Sequence, residues 1–132
     1  MDKIRGKTIV ITGAARGIGF ATAQALIARG ARVVIGDRDV PLGESAVPKQ
    51  SNLGPVSGYP LDVADPESFA TFLDKARADG GGRIDVLINN AGVMPVGPFL
   101  DQSDQAVRSA IEVNFYGVVN GCRLVLPEKV KR

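Results

Sequence analysis

Four short apolar runs punctuate the chain, and between them apolar residues recur at the spacing of helices. Lys7–Thr12 carries the first run and predicts a strand. Arg32–Asp37, with Val33, Val34 and Ile35 in succession, predicts a second strand buried on both faces, as parallel sheets require. Pro55–Tyr59 predicts a third strand leading into Leu61-Asp62-Val63, and Ile84–Asn89 a fourth. Gly17–Arg29 reads as the first helix, closed by Gly30, with Ile18, Ala21, Ala25 and Leu26 as a narrow stripe facing the sheet. Asp65-Pro66-Glu67 supplies a cap, a first-position proline and a first-turn acid for another helix. Phe69, Phe72, Leu73 and Ala76 then follow helical spacing until Gly80-Gly81-Gly82. Ser103 caps a last helix running to about Leu126, with Val107, Ile111, Asn114, Val118 and Val125 near one face. Pro41, Gly43, Pro48 and Gly54 break any long helix in Val40–Ser57, where a short or irregular element is expected and Glu44–Val47 could hold a helical turn. Asn90–Leu100, carrying Gly92, Pro95, Gly97 and Pro98, reads as a loop. Strands alternating with helices imply right-handed crossovers and an α/β, doubly wound parallel sheet.

The junction between the first strand and first helix is Thr12-Gly13-Ala14-Ala15-Arg16-Gly17-Ile18-Gly19. Strand, glycine-rich turn and helix is the context in which backbone N–H groups face a pyrophosphate at the positive end of the helix dipole. A plain structural turn would share the same glycines. Asp37 ends the second strand 20 positions after Gly17, where a dinucleotide-binding fold sets a carboxylate against the adenosine ribose.

With its G-x-x-x-G-x-G spacing behind Thr12, this turn resembles that of the short-chain dehydrogenase/reductase family, and three later motifs extend the resemblance over nearly the whole chain. The fold it implies is Rossmann-like, with strand order 3-2-1-4. Gly13, Arg16, Gly17, Ile18 and Gly19 would line the phosphates. Asp62 and the amide of Val63 would hold the adenine, although Asp62 also suits a helix cap or turn. Asn89-Asn90-Ala91-Gly92 ends the fourth strand, where small residues let the backbone of Asn90, Ala91 and Gly92 approach the nicotinamide-side ribose. Asn114, within Val113-Asn114-Phe115-Tyr116-Gly117, matches the helix asparagine that supports a proton-relay water; it can instead cap a kink or face solvent. Asp37 would accept bonds from a free ribose 2′-hydroxyl and repel a 2′-phosphate, so NAD is expected over NADP, while Arg16 and Arg38 flank the site and could pair with a phosphate.

Composition removes other classes. At 132 residues the chain suits one domain, and 45% hydrophobic residues exclude disorder. Net charge is +2 and no basic stretch is interleaved with aromatics, so no nucleic acid is expected as a partner. There is no histidine, which rules out Ser-His-Asp and Cys-His catalysis, and the single Cys122 excludes an intramolecular disulfide and cysteine metal clusters. No apolar run approaches the roughly 18 residues needed to cross a bilayer, and the amino terminus lacks a secretion signal. A cytoplasmic protein without a membrane partner is expected.

The resemblance stops short of the chemistry. The family transfers hydride between an alcohol or carbonyl substrate and its cofactor with a serine and a Tyr-x-x-x-Lys pair. Here Tyr59 is followed four positions on by Val63, and Tyr116 by Asn120. The chain is therefore expected to be the amino-terminal cofactor-binding part of such an enzyme, truncated after the fourth strand and its following helix and inactive alone. A non-catalytic nucleotide-binding or interaction module is the alternative. With no fifth strand, Ile84–Asn89 becomes an apolar sheet edge. That edge and the last helix, whose region builds subunit contacts in the family, both argue for a homo-oligomer.

Overall fold

The structure, a computed structural model, describes residues 3–131. The apolar runs form β1 (Thr8–Thr12), β2 (Arg32–Asp37), β3 (Val56–Pro60) and β4 (Val86–Ile88). All pair in parallel in the order β3-β2-β1-β4, with Ile9 opposite Val33 and Val86, and Ile11 opposite Ile35 and Ile88. Period-two alternation divides the core. Val10, Val34 and Leu87 meet α3 (Pro66–Asp79) and α5 (Gly117–Val130) through Phe69, Phe72, Leu73 and Val125. Ile9, Ile11, Val33, Ile35 and Ile88 meet α1 (Gly17–Ala28) and α2 (Val40–Ala46) through Ala23, Ile27 and Ala46. Helices on both faces of a parallel sheet give the expected doubly wound α/β fold.

Three local expectations need correction. The buried residues of α1 are Gly19, Ala23 and Ile27, whereas Ile18 is 81% exposed and Ala21 and Ala25 face solvent. Gly19 sets this rotation, since a Cβ there would lie 2.5 Å from Asn90 Nδ2 and 2.8 Å from Gly13 O. The element after β2 is short, as expected, but starts earlier than Glu44: Pro41 sits in the first turn of α2, where no amide donor is needed, and Asp39 caps that turn by accepting from Leu42 N at 3.0 Å. The last helix is composite: α4 (Asp104–Ile111), a π turn (Glu112–Tyr116) and α5. Val113, Gly117, Gly121 and Val125 point inward, while Val107, Ile111 and Val118 of the expected face are exposed. A π turn inserts one residue and rotates the helix beyond it, so one uninterrupted periodicity cannot describe both halves.

Strand β4 is shorter than Ile84–Asn89 because side chains and a local turn replace the main-chain ladder at its ends. Before it, Asp85 N donates to Thr8 O but Thr8 N donates back to the Asp85 carboxylate at 2.9 Å, and beyond it Asn90 N donates to Ile88 O and to Thr12 Oγ1. Burial pushes the Asp85 carboxyl up, but the Thr8 amide and the neighbouring Arg83 and Lys7 outweigh it and hold it below the usual range. Lys129 near the end of α5 donates to the carbonyls of Ile84 and Asp85, and Arg77 of α3 pairs with Glu128 at 2.9 Å. These contacts clamp the far end of the sheet and leave the opposite end to carry the loops.

Gln50, between α2 and β3, is fully buried, and among the described residues neither polar atom of its side chain has a hydrogen-bond partner. A buried orphan amide costs about 1–3 kcal/mol. Gln50→Met should therefore raise the urea midpoint at unchanged slope, and a lower midpoint would show that the amide is satisfied.

Candidate active site

The strand order reverses direction at β1, between its neighbours β2 and β4, which is where an open α/β sheet forms a crevice beyond its strand C-termini. A cleft of about 560 Å³ opens there. Gly13, Arg16 and Gly17 line one wall, Asp37 and Arg38 one end, and Asp62 and Val63 its side, with Asn90, Ala91 and Gly92 opposite. The predicted binding residues thus converge, apart from three. Ile18 turns its side chain to solvent, so its backbone N–H is the group left to act, and Gly19 packs beneath the cleft. Asn114 lies beside the lining, its Oδ1 3.3 Å from where a Cβ on Gly92 would stand.

Two side chains tie the crevice together. Thr12 Oγ1 accepts from Asn90 N at 3.0 Å and Ala91 N at 2.9 Å. Asn90 Nδ2 donates to Thr12 O at 3.1 Å and Gly13 O at 3.0 Å. Gly13 has φ +66, and a Cβ on it would come within 2.8 Å of Ala91 Cα, so both conformation and space demand glycine. Gly17, at φ +64, differs: nothing lies within 4 Å of a Cβ there, so its backbone fronts open space. The first amides of a helix have no carbonyl one turn back, and those opening α1 leave donors at its positive end.

At the other end of the cleft, Asp37 is fixed before any ligand arrives. Oδ2 accepts from Ala15 N at 3.1 Å and Oδ1 from Asp39 N at 2.9 Å, so one carboxylate joins the glycine-rich turn to the β2–α2 turn. A carboxylate oxygen accepts more than one bond, which leaves capacity for ribose hydroxyls. Asp62 does serve as a turn residue, Oδ1 accepting from Ala64 N at 3.1 Å, and it also lines the cleft. An amide-rich turn, open space at Gly17 and an oriented carboxylate are what a dinucleotide needs from a protein.

Asn114 sits in the π turn, closed by Gly117 N donating to Glu112 O. Its amide bonds the β4 loop at both ends: Oδ1 accepts from Val93 N at 2.8 Å and Nδ2 donates to Val93 O at 2.7 Å. Sequence reasoning missed Asp39, Leu61, Val93 and Val113, which also line the cleft. Each adjoins a recognised position, so the signal was adjacency to a motif. Tyr59 stays out of the cleft; its hydroxyl donates to Asp79, which together with burial pushes the phenol above its ordinary range.

Thr12→Val keeps the shape but deprives the Ala91 amide of its acceptor. It should cost about 1–3 kcal/mol in urea unfolding while Thr12→Ser stays near the parent. Equal behaviour of the two variants would mean that the hydroxyl does not tie the crevice.

The model of the short chain dehydrogenase family matches residues 7–132. Oxidoreductase UcpA of Escherichia coli K12 is 38% identical over 132 residues, covering 100% of this chain and 50% of UcpA. Among solved structures, a short chain dehydrogenase/reductase from Burkholderia phymatum in complex with NAD is 31% identical with TM-score 0.89, matching 96% of this chain and 45% of that one. The apo form of LigD from Sphingobium sp. strain SYK-6 is 32% identical with TM-score 0.91, matching 98% and 55%. The chain spans about half the length of the curated relatives it matches first. A crevice tied by Thr12 and Asn90, a glycine-rich turn over open space and a match to the family model from residue 7 onward establish that this chain belongs to the short-chain dehydrogenase family.

Proposed function

We propose that this chain is the cofactor-binding portion of an NAD-dependent oxidoreductase that interconverts an alcohol and a carbonyl. The observation that carries the reading is the Asp37 carboxylate, held by the amides of Ala15 and Asp39 at the adenosine end of the cleft. Two acceptor oxygens in fixed positions suit the vicinal hydroxyls of a free ribose, and their charge opposes a 2′-phosphate. Gly13, Arg16, Gly17, Ile18 and Gly19 would receive the pyrophosphate, Asp62 and Val63 the adenine, and Asn90, Ala91 and Gly92 the nicotinamide-side ribose. The cofactor, when bound, supplies the hydride chemistry. Asn114 would support the proton-relay water: both ends of its amide are held by Val93, and each end retains capacity for one further bond.

Proton transfer needs an acid or base tuned toward neutral pH. Neither tyrosine of the chain fits: Tyr59 is bonded to Asp79 and Tyr116 is followed four residues on by Asn120. The chain alone is therefore expected to bind dinucleotide without turning it over. Turnover of NAD with an alcohol or ketone above contaminant level would refute this. In calorimetric titration, Asp37→Ala should weaken NAD by about 1.5–3 kcal/mol and improve NADP relative to NAD. Equal losses for both cofactors would make the carboxylate purely structural.

Assembly follows from two apolar surfaces. Strand β4 pairs only with β1 among the described residues and leaves Val86 39% exposed, while Val118, Leu126 and Val130 are exposed on α5. A homo-oligomer would bury these at about 25 cal/mol per Å². Val86→Lys should dissociate an edge-paired species, and Leu126→Lys one packed through helices, as read by light scattering; a monomeric parent at micromolar concentration would defeat both.

A further inference from the structure

The fold sorts charge in a way the linear sequence hides. Because the strands are parallel, all of them start at one end of the molecule, opposite the cleft. Lys7 precedes β1, Arg32 opens β2 and Arg83 lies shortly before β4. Arg32 N donates to Lys7 O, and Gly6 N to Gly30 O, which brings the amino-terminal turn with Lys3 and Arg5 against the end of α1 at Arg29. Arg5 lies within 2.8 Å of where a Cβ on Gly30 would stand. Lys49 precedes the turn at Ser51–Leu53 that packs near the same end of α1, with Gly54 against Ile27. Lys129 reaches the carbonyls of Ile84 and Asp85, and Lys131 follows it.

Most of these cations are exposed. Arg83 pairs with Asp85 and Arg77 with Glu128, and Asp79 keeps its charge because Ser57 and Tyr59 bond to it as neutral hydroxyls; Lys3, Arg5, Lys7, Arg29, Lys49 and Lys131 still outnumber these acids. The cleft end carries the opposite balance, with Asp37, Asp39, Asp62, Asp65, Glu67 and Glu112 against Arg16, Arg38 and Arg108. A net charge of +2 conceals this separation.

Contrary to the sequence expectation of no membrane partner, which rests on the absence of a spanning run, we infer that the end of the molecule where the strands begin is a docking face for an anionic phospholipid surface, which would leave the cleft turned toward solvent. Cations near the last turns of helices offset the dipole, but Lys3, Arg5, Lys7 and Lys49 lie outside any helix and have no such task. A nucleic acid partner fits less well. The face consists of strand starts and helix carboxyl ends, which offer no helix or ribbon to a groove. Aromatic stacking platforms for single strands are absent from the residues that build it. A headgroup layer needs only long cationic side chains, aided by the exposed Leu53 at the same end.

The test is sedimentation of the full chain with phosphatidylcholine vesicles in which one third of the lipid is phosphatidylglycerol, beside pure phosphatidylcholine. Binding should require the anionic lipid and weaken as salt rises. The triple variant Lys3→Gln, Lys7→Gln, Lys49→Gln should lower the partition coefficient on the order of 100-fold, from about 1 kcal/mol per basic residue. Its urea midpoint reports that the fold is intact. Arg108→Gln, at the cleft end, should bind like the parent. No binding to the anionic vesicles at low salt, equal binding by the triple variant, or a per-charge loss for Arg108→Gln matching that of the triple variant would each overturn the inference. Tighter binding to duplex DNA than to vesicles at the same salt would overturn it in favour of nucleic acid.

Discussion

The whole cleft end depends on one close approach, that of Gly13 at the end of β1 to Ala91 beyond β4. The two strands must part to form a crevice, yet their ends must not drift, because the walls of the cleft are backbone. Thr12 and Asn90 resolve this by bonding each other's main chain across the gap. With the gap set, little freedom remains: Gly13 has no room for a Cβ, Gly19 must slide under Asn90, and α1 takes its rotation from that contact. The small residues of the two motifs are thus consequences of a single distance.

The elements were legible where local chemistry and packing agree. Arg32–Asp37 matched its strand, and Asp65-Pro66 opened α3 with Asp65 accepting from Glu67 N as a cap should. The order β3-β2-β1-β4 and the convergence of Gly13, Gly17, Asp37, Asp62 and Asn90 were likewise readable, because the resemblance rests on motifs whose spacing encodes topology. What escaped was set by contacts distant in sequence. The rotation of α1 answers to Asn90, far along the chain; the length of β4 answers to Thr8 and Lys129; and the π turn interrupts a periodicity that looked continuous. Pro41 misled for another reason: the same residue ends a helix from within and begins one from its first turn, and only the cap at Asp39 distinguishes the two.

Strand β4 illustrates how division of labour shapes an edge. Its outer side has no strand partner among the described residues, yet its inner side chains divide between the two cores, Leu87 to one face and Ile88 to the other. Parallel sheets place such strands under cover, and the exposed Val86 marks where covering surface is lacking. The polar clamp at Asp85 and Lys129 holds the strand at its start, so the sheet does not depend on that cover for its register.

Asp37 ties recognition to folding. Its two oxygens join the glycine-rich turn to the turn that opens α2, so the same group that is proposed to read the ribose also closes a seam between successive βα units. A change made to alter which dinucleotide is accepted would loosen the loops that must receive it. Cofactor exchange on this scaffold is therefore epistatic. A replacement at position 37 leaves the Ala15 and Asp39 amides without this acceptor, so its cost depends on whether the background supplies another, and the order in which substitutions accumulate, by selection or by design, matters accordingly.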